Sequence, residues 1–163
     1  MDNIPILISD FLNRIQVRHY TLTSINYDPT LEPLVQRAVN LKRTGNYGES
    51  VLQYIQIMDD NCVAQSALLF YMYKSLASAG FISEAYAIIE LSNRIMKIKN
   101  LYSFTGQDEH IEKLNSALQS ESYMSQYLGS ISGNPIYSLN RSIKQVMNEP
   151  LNKYISIIDS IIN

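Results

Sequence analysis

Few residues in this chain have the types and spacing that chemistry requires. His19 and His110 sit in distant segments, and neither has a Cys, Asp or Glu at a spacing that a metal site uses. Asp108-Glu109-His110 brings two carboxylates beside an imidazole, as general acid–base catalysis would. Acids in a first helical turn also complement the helix dipole, and that capping role is the expected one. Asp59-Asp60 is read as a helix terminus. Cys62 is the single cysteine, which excludes an intrachain disulfide and a multi-cysteine metal site. With Asp60 close by and no basic neighbour along the chain, it is expected to be a small buried apolar residue rather than a nucleophile. Arg14 and Arg18, one turn apart, read as a solvated face, and Lys97 and Lys99 as cations at a helix C-terminus. There is no phosphate-binding glycine loop and no nucleophile elbow. The expectation is therefore no catalytic residues, no metal and no cofactor.

Composition narrows the classes further. Hydrophobic residues make up 46% and charged residues only 17%, the mark of a chain that folds, and 163 residues suit a single domain, 1–163. A formal charge of -2 with mixed signs gives no footprint for nucleic acid. Twelve tyrosines could stack bases, but without a basic groove to hold phosphates packing is the ordinary explanation. The first residues lack the pattern of a secretory signal, and no apolar run has the length of a membrane span, so a cytoplasmic location off the membrane is expected. The Asn-, Ile- and Tyr-rich composition is compatible with an AT-rich bacterial or phage genome.

The elements are helical. Ile8, Phe11, Leu12 and Ile15 predict a first helix over about 4–17. Residues 18–28 favour extended structure and, with no second strand to pair with, are expected to be a connector. Leu31, Leu34, Ala38 and Leu41 predict the buried stripe of the next helix, which Thr44-Gly45-Asn46 stops. Tyr47, Ser50, Val51, Tyr54, Ile57 and Met58 form one face of its successor. From Val63 a nearly all-apolar helix centred on residues 67–73 runs to Gly80 and demands neighbours on most sides. The helix after it drifts from Ile82, Ala85 and Ile89 to Ile88, Leu91 and Ile95, as if contacted on two flanks. Beyond a loop near Gly106, residues 108–163 are expected to supply C-terminal helices, broken at Pro150 and ending in Tyr154, Ile155, Ile158 and Ile162.

Two of these hairpins are copies. Gly45 and Gly80 lie about 35 residues apart, with Glu49 and Ser50 in one matched by Glu84 and Ala85 in the other. Over residues 31–99 this unit resembles the tetratricopeptide (TPR) repeat, in which paired helices stack into a superhelix. Leu34, Ala38, Leu41, Gly45, Tyr47, Ser50, Tyr54 and Ile57 carry the resemblance in the first copy, and Leu69, Tyr73, Leu76, Gly80, Ile82, Ala85, Ile89 and Ser92 in the second. Tyr73 is bulky where that family wants a small residue, and Ser92 is polar. The resemblance implies an all-α, right-handed stack of antiparallel helical hairpins, with residues 29–99 as two degenerate units. The helix and connector of 4–28 and the helices of 108–163 would act as caps.

In that family the first helices of successive units line a peptide-binding groove. Carried over, the groove positions are Glu32, Val35, Val39, Lys42 and Arg43, then Ala67, Phe70, Lys74, Ala77 and Ser78. The partner-binding candidates are Val35, Val39, Lys42, Arg43, Phe70 and Lys74, a partly apolar groove with a basic rim suited to an amphipathic segment with acidic residues. The expected function is a non-enzymatic module that binds a protein or peptide partner. Two alternatives stand beside it: an immunity, inhibitor or regulatory subunit of an obligate complex or homodimer, and a small enzyme with scattered catalytic residues.

Overall fold

The computed structural model describes residues 3–24, 26–98 and 141–162, with the backbone alone at 98 and 141–150. The helix and loop expectations for 100–140, including those around Gly106 and Asp108-Glu109-His110, fall outside the described residues, as does Lys99. The described chain is mostly helical: α1 (Ile4–Val17), α2 (Glu32–Arg43), α3 (Tyr47–Asn61), α4 (Ser66–Ser78), α5 (Ile82–Ile98) and α6 (Arg141–Ile162).

The two glycine turns are built alike. Asn46 N–H donates to the Leu41 carbonyl and Gly45 N–H to Lys42, while Phe81 N–H donates to Leu76 and Gly80 N–H to Ala77. This is the Schellman pattern of helix ending, which needs a left-handed residue, and Gly45 and Gly80 supply it at φ +84° and +89°. Each turn folds a helix back on its predecessor, pairing α2 with α3 and α4 with α5. Among the described helices α3 packs on α4 and α5 on α6, and α6 closes against α1. All of α4 is buried except Tyr71 and Lys74, and α5 meets α4 on one flank and α6 on the other. Both expectations for these helices hold.

Four expectations need correction. The connector is not unpaired: β1 (Thr21–Thr23) pairs in parallel with β2 (Val63–Gln65), in register Thr21 with Val63, so helix α4 begins at Ser66 rather than Val63. A non-glycine residue of positive φ follows each of α1 and α3, His19 and Cys62, between the helix and its strand. The buried stripe of α2 is rotated by one position: Val35 and Ala38 are buried, Leu31 and Leu41 are half-buried, and Leu34 is 41% exposed. Helix α6 runs through Pro150 without a break. A proline inside a helix loses one N–H bond, and buried Tyr154 and Ile158 anchor the turns that follow it.

Candidate partner-binding face

Helices α2 and α4 present the residues singled out for a groove. On the last turn of α2, Lys42 is half-buried and Arg43 exposed, both placed where cations favour a helix C-terminus. Lys74 on α4 holds its Nζ 4.9 Å from the centroid of the Phe70 ring, a cation–π geometry. Phe70 in turn stacks on Tyr73 at 5.8 Å. Burial first, then the charges of Lys74 and Arg43, pushes the Lys42 ammonium below the usual lysine range. The three cations therefore share one neighbourhood, and none makes an ion pair with a carboxylate among the described residues.

The remaining candidates divide. Val39 is half-buried against the core. Val35, placed on the open groove by the sequence, lies in the core at 1% exposure and offers a partner no surface. Phe70 is buried too, at 7%, so it supports Lys74 more than it projects. At the other end of α2, Glu32 accepts hydrogen bonds from the Tyr27 hydroxyl at 2.6 Å and the Gln36 amide at 2.8 Å, which hold its carboxyl below the usual range. Burial and that neighbouring carboxylate push the Tyr27 phenol up to about 12. The face thus runs from an occupied acid at the start of α2 to cations at its end that pair with no described carboxylate.

Two polar clusters escaped sequence reasoning because their members are far apart along the chain. Asp59 on α3 accepts from Arg14 Nη2 at 2.9 Å and from the Tyr20 hydroxyl at 2.7 Å, pinning α1 to α3. Arg18 reaches Cys62 Sγ at 3.3 Å and lies over the Tyr20 ring, so Cys62 does have a basic neighbour and the arginines are not a free solvated face. On the other side, Arg94 of α5 pairs with Glu90 and with Asp159 of α6. Glu84, only 5% exposed, hydrogen-bonds the Tyr154 hydroxyl, and that hydroxyl also lies 3.3 Å from the Pro5 carbonyl. These clusters join helices. His19 is exposed, and among the described residues no group of His, Cys, Asp and Glu could hold a metal.

These features define a class and no more: a helical protein of glycine-turned hairpins carrying a cationic patch with no carboxylate partner among the described residues. No protein-family model, curated protein or solved structure matches the chain. No helix among the described residues is long and apolar enough to cross a membrane.

Proposed function

We propose that the chain is a non-enzymatic interaction module whose two glycine-turned hairpins stack in the tetratricopeptide manner, with the α2–α4 face as its docking surface. The matched hydrogen bonding of the two turns and the packing of α3 on α4 support the stacked reading. The observation that carries the functional reading is the grouping of Lys42, Arg43 and Lys74 with no carboxylate partner among the described residues. Like charges at close range cost free energy, and an acidic segment laid across them would relieve that cost. The preferred partner is an amphipathic peptide that sets Asp or Glu against these cations and an apolar side chain against half-buried Val39 and Tyr71.

Selection of binders from a displayed peptide library tests this. Enriched sequences should be acidic, and Arg43→Glu together with Lys74→Glu should weaken them about tenfold or more, with binding restored by peptides of reversed charge. Enrichment of sequences indifferent to these two substitutions would remove the assignment.

A further inference from the structure

A pocket of about 300 Å³ opens over one face of the two-stranded sheet, away from the cationic patch. Alternate strand residues make its ceiling, Thr21 and Thr23 from β1 and Val63 and Gln65 from β2, because side chains at every second position share a face. Its floor is Ile57, Met58 and Leu68, all buried. Half-buried Tyr27 and Leu31 form a wall, and exposed Asn26, Asp28 and Asn61 ring the mouth. The site is therefore graded, apolar at depth and polar at the opening.

We infer that this pocket binds a small aromatic molecule with a neutral or cationic head, its ring on Ile57, Met58 and Leu68 and its head at the Asp28–Asn61 mouth. The volume is about twice that of an apolar protein cavity known to take up benzene, ~150 Å³, which leaves room for a ring and a short tail. The charge follows from the lining. Among the described residues Asp28 is the one charged residue that lines the pocket, and no lysine or arginine does. Its carboxylate accepts from the Thr30 amide and hydroxyl, both at 2.9 Å, which fixes it at the rim in its ionised form. Asn61 donates its amide N–H to the Ile57 carbonyl at 2.7 Å, which leaves its oxygen to accept from a ligand hydroxyl or ammonium. A carboxylate or phosphate head would face Asp28 with no cation among the described lining residues to balance it.

Methyl-detected NMR titration with three probes of one shape, p-cresol, tyramine and 4-hydroxyphenylacetate, is the test. Saturable shifts at the Met58, Ile57, Leu68 and Val63 methyls are expected with p-cresol and tyramine, and binding about tenfold weaker with the anionic probe. Val63→Phe should fill the pocket and abolish the shifts. Should that variant fail to fold, Thr21→Phe, at the exposed end of the ceiling, fills the space above the floor without touching it. Absence of saturable shifts with all three probes, equal binding of the anion, or binding that survives the folded blocking variant would each overturn the proposal. None of these outcomes bears on the cationic face, whose partner is read by a separate selection.

Discussion

The hydroxyls of Ser50 on α3 and Ser75 on α4 lie 2.9 Å apart, both fully buried, and Ser50 also donates to the Ala38 carbonyl of α2 at 2.8 Å. Since Ser50 has a single proton and gives it to Ala38, Ser75 must donate to Ser50. One small side chain therefore links three helices. Replacing Ser50 by Ala should cost about 1–3 kcal/mol, because it strands the buried Ser75 hydroxyl. Ser75→Ala, which leaves the bond to Ala38 intact, should cost about 1 kcal/mol or less. Urea unfolding of the two variants measures the asymmetry, and equal losses would contradict the donor assignment.

Glu84 gives the fold a pH dependence of definite sign. Burial raises its pKa above the usual carboxylate value, against the opposing effect of the Tyr154 hydrogen bond. A carboxyl whose pKa is higher folded than unfolded stabilises the fold below its unfolded pKa, and that contribution is lost as pH rises through the folded value. Glu84→Gln, which keeps the hydrogen bond and removes the charge, should therefore gain on the parent between about pH 4 and neutrality. A gain of about 1 kcal/mol at pH 7 would raise Tm by roughly 2–4 °C. Tyr154→Phe should lower Tm at every pH by leaving Glu84 buried without its partner. Thermal melts across that range decide both.

Relief of repulsion should be visible at Lys42. Lys42→Gln is expected to stabilise the protein by a few tenths of a kcal/mol at low salt, and the gain should shrink as salt screens Lys74 and Arg43. The same substitution should weaken an acidic peptide, so stability and binding move in opposite directions. Denaturant midpoints at two ionic strengths supply the comparison.

Gly45 should tolerate size but not chirality. Nothing lies within 4 Å of where its Cβ would sit, so a substitution meets open space and only the φ of +84° resists it. Gly45→Ala should cost about 1–2 kcal/mol, and Gly45→Asn less, because asparagine enters the left-handed region more readily. A larger loss for Asn than for Ala, read from denaturant midpoints, would be inconsistent with this account.

Much of the scaffold is written in local sequence, and the exceptions have physical causes. Residues 4–17 declare α1 through an apolar repeat at helical spacing, and Gly45 and Gly80 mark turns that only glycine occupies cheaply. The run around residues 67–73 announces its own burial. The strands were hidden because Thr21–Thr23 and Val63–Gln65 are three residues each, too short for an alternating pattern to register. Leu34 and Val35 are adjacent and both apolar, so sequence could not choose which faces inward, and the repeat pattern chose Leu34. The cationic patch was half legible, since Lys42 and Arg43 are neighbours, whereas their meeting with Lys74 needs the fold. The aromatic pocket left no trace in sequence, being assembled from single residues of the two strands, the segment before α2, and helices α3 and α4.

The pairing of β1 with β2 joins segments about 40 residues apart, and closing so long a loop loses chain entropy before any contact repays it. Each glycine turn, by contrast, joins immediate neighbours. Loop-closure entropy therefore favours the α2–α3 and α4–α5 hairpins as local units, to which α1 is joined through its strand and through Asp59. Helix α1, with Ile8, Phe11, Leu12 and Ile15 buried, is thus held to the hairpins by contacts remote in sequence as well as by its core face.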